Sequence, residues 1–62
     1  MNLEQANKAM ENDFPVFYKG HKRYILFMNT LNGTCDLIKH KLDYKGPNMP
    51  DFKNTKIKDL QE

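Results

Sequence analysis

The chain has 62 residues, of which 29% are charged and 39% hydrophobic, and its formal net charge is +2. This length allows one domain with a modest core, because a chain of this size buries only roughly 60% of the surface that it exposes when unfolded. The single cysteine, Cys35, excludes an intrachain disulfide and is typical of a reducing compartment. Neither a membrane-length apolar segment nor a signal peptide is recognisable. We therefore expect a cytoplasmic protein that does not contact a membrane.

Charge is unevenly distributed along the sequence. Residues 1–13 contain three acidic residues against one lysine, whereas residues 14–58 contain nine basic residues against three aspartates. A basic region of this kind attracts nucleic acid or an acidic protein. The plainer explanation is that lysines on half-exposed strands serve solubility and protect sheet edges. Arg23 is the only arginine, the residue type that best forms two-pronged contacts with phosphate or guanine.

Residues 2–12 are predicted to form a helix. Four apolar residues recur at helical spacing and form a narrow stripe: Leu3, Ala6, Ala9 and Met10. Asn2 and Gln5 match the spacing of a capping box, and Pro15 ends any helix before it. A helix of about three turns is not stable in isolation, so it needs a surface on which to pack.

From Phe14 onward the apolar pattern changes to a period of two, which predicts short strands. The predicted strands are residues 16–18, 23–28, 34–39, 41–44 and 55–60. Residues 19–22 are predicted to form a turn, and Asn32-Gly33 is a dipeptide suited to a tight hairpin. Residues 45–51 are a loop by composition.

The strand at residues 23–28 decides the predicted architecture. Tyr24, Leu26 and Met28 alternate with Ile25 and Phe27, so both faces of this strand are apolar. A sheet with one solvated face would alternate apolar with polar residues, and we therefore expect cover on both sides, from the inside of a curled sheet and from the helix stripe. The fold class is α+β and mostly β.

A single domain is expected over residues 1–62, with the N-terminal helix in residues 1–13. Residues 14–60 then form a barrel-like core of about five short strands.

This pattern resembles the small SH3-like β-barrel proteins of phages and prophages. The residues that carry the resemblance are Val16-Phe17-Tyr18-Lys19-Gly20, the strand from Tyr24 to Met28, and Lys58-Asp59-Leu60. The resemblance implies a small SH3-like bent sheet or barrel. It also implies a phage accessory protein that binds and modulates, for example inhibits, a host protein in the host cytoplasm. SH3-like folds host many functions, so the resemblance indicates a binding module and not a particular activity.

The sequence predicts neither an enzyme nor a metal or cofactor site. Besides the other carboxylates, the candidate transition-metal ligands are His21, Cys35, Asp36 and His40, and they lack the spacing of a zinc site. Cys35 with either histidine would form a catalytic dyad only with an orienting third group and a cleft. Cys35 shares a predicted strand face with Leu37, so we expect it to be a buried core residue.

Two binding surfaces stay open as alternatives. The first belongs to a protein partner and comprises the long loop and its neighbours: Tyr44, Lys45, Met49, Phe52 and Lys53. The plainer interpretation of Phe52 is that it folds back and closes one end of the barrel. The second surface binds nucleic acid through basic residues interleaved with aromatic ones: Lys19, Lys22 and Arg23. A third hypothesis is a homo-oligomer formed through an open edge strand.

Overall fold

The computed structural model describes residues 1–39 and 50–62. Its elements, in chain order, are helix α1 (Leu3–Glu11), strands β1 (Val16–Tyr18), β2 (His21–Asn29), β3 (Thr34–Ile38) and β4 (Phe52–Lys56), and a 3₁₀ helix (Ile57–Asp59). The strands form one curled antiparallel sheet, a half-barrel, in the order β1-β2-β3-β4. The predicted class, a small and mostly β domain with an N-terminal helix, is confirmed. The predicted strand at residues 41–44, and with it a fifth strand, lies outside the described residues.

Helix α1 begins at the predicted capping box. The Asn2 side chain accepts a hydrogen bond from the Gln5 N–H at 2.8 Å, and the Gln5 side chain accepts one from the Asn2 N–H at 3.0 Å. Ala6 and Ala9 are buried, as the apolar stripe predicts. Leu3 is 44% exposed, contrary to prediction, because it lines an open depression of about 420 Å³ beside the β2–β3 turn.

The core lies on one face of the sheet, which we call the core face. Helix α1 and the 3₁₀ helix cover this face. The buried cluster comprises Ala6, Ala9, Val16, Ile25, Cys35, Leu37, Ile57 and Leu60. The N-terminal ammonium group of Met1 donates a hydrogen bond to the Leu60 carbonyl at 3.0 Å, so the two ends of the chain meet at the edge of this core.

A β-bulge in β2 changes which of its side chains face the core. Leu26 is the additional residue between Ile25 and Phe27, which pair with consecutive residues of β3. Ile25 is buried and Met28 packs against the core, whereas Phe27 is 60% exposed. The prediction that β2 is covered on both faces is therefore wrong at Phe27. A bulge shifts the alternation by one residue, which a strict period of two does not reveal.

Helix α1 also lies on a different side of β2 from the one predicted. Ala6 and Ala9 belong to the same buried cluster as Ile25, so the helix thickens the core face and does not cover the opposite one. The small alanine side chains allow the helix to lie close to β2, the strand against which it packs. The face of the sheet opposite the core is called the outer face below.

A second irregularity, in β4, bends the sheet beside the same residue of β3 as the bulge in β2. In β4, Lys53 and Asn54 both lie opposite Asp36 of β3. Asn54 has a φ of +54°, and its N–H donates a hydrogen bond to Asp36 Oδ1 at 3.0 Å. Asparagine tolerates this left-handed conformation better than most residues. Because both neighbours of β3 carry an extra residue beside Asp36, the sheet curls strongly at this point.

The β2–β3 hairpin forms where Asn32-Gly33 predicts it, but its loop is longer than a two-residue turn. The loop comprises residues 30–33, and within it Gly33 has a positive φ of 67°. The Asn29 side chain accepts hydrogen bonds from the N–H groups of Leu31 and Asn32, at 3.1 and 3.2 Å. This side chain closes the loop, so Asn32 does not need the left-handed conformation that a two-residue hairpin would require.

The predicted last strand at residues 55–60 is divided. Strand β4 ends at Lys56, and the chain continues as the 3₁₀ helix. Gln61 then forms an isolated antiparallel bridge with Phe17, with N–O distances of 2.7 and 2.9 Å. This bridge ties the C-terminal end to the edge of β1 that faces away from β2, so the chain returns towards its first strand.

Candidate binding surfaces

The predicted site residues are only partly described. Three of the residues predicted to contact a protein partner lie outside the described residues: Tyr44, Lys45 and Met49. Phe52 and Lys53 begin β4, and Lys19, Lys22 and Arg23 lie in the β1–β2 hairpin. The fold brings Phe52 beside Arg23, so the two predicted surfaces meet there.

Phe52 lies at the centre of a group of side chains that we call the Phe52 cluster: Tyr18, His21, Arg23, Asp51 and Phe52. The rings of Tyr18 and Phe52 meet edge to face, with centroids 5.2 Å apart and an interplanar angle of 72°. The His21 ring lies 5.8 Å from the Phe52 ring, and the guanidinium carbon of Arg23 lies 5.2 Å from its centroid. Phe52 is half-buried and packs against the core, so its ring also covers the end of the core, in agreement with the plainer interpretation.

Arg23 is held in this cluster by its own hydrogen bonds. Its Nε donates to Asp51 Oδ2 at 2.9 Å, and its Nη1 donates to the Lys22 carbonyl at 2.8 Å. The Arg23 side chain is 14% exposed and that of Asp51 is 34% exposed. A guanidinium group that is stacked on a ring and paired with a carboxylate is fixed in position, and fewer of its donors remain for a phosphate.

The tight β1–β2 turn explains why these side chains converge. Lys19 and Gly20 have positive φ values of 49° and 81°, as a two-residue hairpin loop requires. Tyr18 and His21 are therefore directly opposite each other, and both rings reach Phe52. The Lys19 ammonium group lies 5.3 Å from the centroid of the Tyr18 ring. The grouping of Tyr18 and His21 with Phe52 was not predicted, although the Lys19-Gly20 turn between them was the signal that could have placed the two side chains together.

The predicted nucleic-acid residues do not share one surface. Arg23 pairs with the buried Val16, on the core face, whereas Lys22 pairs with Phe17, on the outer face. Adjacent residues of a strand point to opposite faces, so the run Lys22-Arg23 supplies one basic side chain to each.

Cys35 is buried on the core face, as predicted. Burial, with the charge of Asp36 as the second cause, raises the pKa of the Cys35 thiol from 9.0 to about 11. The nucleophilic thiolate is therefore scarce at neutral pH, which is typical of a structural cysteine.

Within residues 1–39 and 50–62, no group of three or more histidine, cysteine, aspartate or glutamate side chains could hold a metal ion. No helix in the same ranges has the length and apolar character needed to cross a membrane.

Comparisons with protein-family models, with curated proteins and with solved structures give no match for this chain. The geometry of its surfaces is therefore the basis for a functional proposal.

Proposed function

We propose that this chain is a non-catalytic binding protein that attaches to another protein through the Phe52 cluster. The observation that carries the proposal is the fixed arrangement of Arg23, which is stacked 5.2 Å from the Phe52 ring centroid and paired with Asp51 at 2.9 Å. Tyrosine, tryptophan and arginine are the residues that contribute most to protein interfaces. Side chains that are already ordered lose less conformational entropy on binding, so they contribute more of their contact energy to affinity.

The surroundings of the cluster indicate the character of the partner. An open depression of about 500 Å³ adjoins it, lined by Tyr18 and Phe52, by residues 53–56 of β4 and by the carboxylates Asp51 and Asp59. The exposed lysines Lys19 and Lys53 lie in the turn beside Tyr18 and next to Phe52. We propose that the partner presents an apolar group that enters this depression, surrounded by polar groups that complement its charges of both signs, since complementary charge speeds encounter and excludes other partners.

We further propose that the sheet belongs to an SH3-like barrel and that the protein is a phage-type accessory protein that modulates a host protein in the cytoplasm. Support for the barrel comes from the C-terminal end. The 3₁₀ helix turns the chain after β4, and the Gln61–Phe17 bridge brings it to β1. A small barrel closes in this way, by pairing its last segment with its first strand. The phage origin rests on the sequence resemblance alone.

The alternative, nucleic-acid binding through Lys19, Lys22 and Arg23, ranks second as a description of this surface. The Arg23 donors Nε and Nη1 are engaged by Asp51 and the Lys22 carbonyl, and Lys22 itself lies on the opposite face. A phosphate-binding surface requires several cations that point the same way.

The experiment is affinity capture from a nuclease-treated lysate of the host, followed by measurement of each purified partner's affinity. We expect Arg23→Ala to weaken the partner's affinity about tenfold or more, because arginine at an interface centre contributes well over 1 kcal/mol. Lys58→Ala, which removes an exposed positive charge from the 3₁₀ helix outside the cluster, is the matched control. Equal affinity of wild type and Arg23→Ala for the captured protein would refute the proposed site.

A further inference from the structure

The outer face carries a strip of aromatic side chains. Phe17 and Phe27 are 37% and 60% exposed, and Tyr24 lies between them on β2, half-buried. The strand pairing places all three on the side away from the core: Phe17 opposite Lys22, Tyr24 opposite Ile38, and Phe27 opposite Asp36. Ile38, opposite Tyr24, is buried on this face, so its exposed aromatic area lies at Phe17 and Phe27. Exposed apolar side chains that adjoin on one sheet face are typical of a binding surface.

The charge around this strip is mainly positive. Lys22 lies beside Phe17, and Lys56 pairs with Thr34, whose side chain points to the outer face. Lys53 also points outward, since it follows the core-facing Phe52 in β4. Asp36 is the acidic residue that the strand pairing places on this face, and its Oδ1 accepts the Asn54 N–H. In the described part of the sheet, the outer face therefore carries three exposed lysines, one beside Phe17 and two on β4 across β3 from Phe27, against one carboxylate.

We propose that the outer face binds single-stranded nucleic acid, with bases stacked on Phe17 and Phe27 and phosphates held by Lys22, Lys53 and Lys56. Aromatic rings interleaved with cations are what a single strand recognises without sequence preference, because every base has a face that can stack. The lysines neutralise the backbone and release its counterions. This inference goes beyond the proposed protein interface, which lies at the Phe52 cluster and uses Arg23. Lys53 and Lys56 of the edge strand β4 border both surfaces, whereas Lys22 and Phe27 belong to the outer face alone.

Charge and shape favour a single strand over a second copy of the chain or a nucleic-acid duplex as the ligand of the outer face. A second copy of the chain would bring two faces of net positive charge together, which disfavours pairing through this surface. A nucleic-acid duplex offers phosphates but keeps its bases stacked inside, so it would use the lysines and not the rings. A single strand complements both features of the face.

The test measures fluorescence anisotropy of a labelled oligothymidylate, with a duplex of mixed sequence as comparison, on the full chain at low salt. We expect the single strand to bind more tightly than the duplex. Phe27→Ala should weaken the single strand about fivefold to a hundredfold, the usual effect of removing one stacked base contact. Phe14→Ala is the matched control, since Phe14 is 58% exposed and precedes β1, outside the aromatic strip.

Two further variants separate stacking from plain hydrophobic contact. Phe27→Tyr keeps an aromatic ring and should bind like wild type, whereas Phe27→Leu keeps apolar area and should bind like Phe27→Ala. Thermal unfolding of each variant shows whether the fold is intact. Because Phe27 is exposed, we expect the tyrosine and leucine variants to have nearly the same stability. Binding by Phe27→Leu at the wild-type level would overturn the stacking model.

The lysines are tested through salt dependence. For a single strand, the logarithm of the binding constant falls with the logarithm of salt concentration by about 0.7 per phosphate contact. The double variant Lys22→Ala with Lys56→Ala should therefore lower this slope by about 1.4, and Lys58→Ala should leave it unchanged. Absence of binding at low salt, or equal binding of duplex and single strand, would refute the proposal. So would a monomer–dimer change on Phe27→Ala in light scattering without any effect on the oligonucleotide.

None of these outcomes depends on the protein partner. Loss of oligonucleotide binding in Phe27→Ala with partner binding intact would support both proposals. Failure of one proposal leaves the other measurable, because Arg23 and Phe27 belong to different faces.

Discussion

The core face and the outer face of the β1–β2 hairpin are built from alternate residues of the same short sequence, yet they differ in how their side chains are held. On the core face, Arg23 is ion-paired with Asp51 and stacked on Phe52. On the outer face, Phe27 is 60% exposed. The core face is thus covered by other elements of the fold, whereas the outer face keeps aromatic area in solvent. The comparison indicates that neighbours in sequence, such as Lys22 and Arg23, can serve different surfaces.

The largest expected effect comes from removing the cover of the core face. Deletion of residues 1–12 takes away the buried Ala6 and Ala9 and the hydrogen bond from Met1 to Leu60. We expect a loss of a few kcal/mol, most of the stability of a domain that has about 5 kcal/mol or less. Thermal unfolding measured by circular dichroism tests this. Unchanged unfolding of the truncated chain would mean that α1 contributes nothing to the core face.

Replacing one aromatic residue on each face sharpens the comparison. Phe52→Ala should destabilise the domain by about 2 kcal/mol, less than for a fully buried phenylalanine, because Phe52 is half-buried against the core. Phe27→Ala should change stability by about 0.5 kcal/mol or less, because most of its ring is already in water. Urea unfolding of both variants provides the measurement. Similar losses at the two positions would contradict the assignment of faces.

Much of this difference between faces could not be predicted from the sequence. The capping box at Asn2 and Gln5 and the burial of Cys35 followed from local patterns, and both are confirmed. The exposure of Phe27 could not be predicted from a local pattern, because it depends on a bulge at Leu26 that arises from pairing with β3. Sequence periodicity describes one strand at a time, whereas register is set by two.

The candidate site was predictable to a similar extent. Phe52, Lys19, Lys22 and Arg23 were identified as residue types suited to binding, but their grouping was not. Phe52 is separated from Arg23 by most of β2, all of β3 and the undescribed residues, so only the folded sheet brings them within 5.2 Å. The partner-binding role predicted for Tyr44, Lys45 and Met49 stays a prediction.

A smaller effect is expected from the ion pair in the Phe52 cluster. Arg23→Ala and Asp51→Ala should each cost about 1 kcal/mol or less, because a partly exposed ion pair is screened by solvent. A double-mutant cycle should give a coupling energy of roughly 0.5 kcal/mol, measured by urea unfolding at low and high salt. A coupling of zero at low salt would show that the pair does not order the cluster.

The last expected effect is absent at neutral pH, appears only at alkaline pH and reports on the core face. The pKa of the Cys35 thiol is raised from 9.0 to about 11 by burial, with Asp36 as the second cause. A raised folded-state pKa stabilises the fold below the unfolded pKa, and this contribution is lost as pH rises through the folded one. Stability should therefore fall between about pH 9 and 11 more in wild type than in Cys35→Ala. Identical alkaline profiles would contradict the burial of this thiol.

The most direct test of the account compares Lys22→Ala with Arg23→Ala in two binding assays, one with the captured protein partner and one with labelled oligothymidylate. We expect Arg23→Ala to weaken the protein partner and leave the oligonucleotide nearly unchanged, and Lys22→Ala to do the reverse, because the two side chains point to opposite faces of β2. If both variants weakened the same ligand to the same degree, the hairpin would present one binding surface, and the separation into two faces would be wrong.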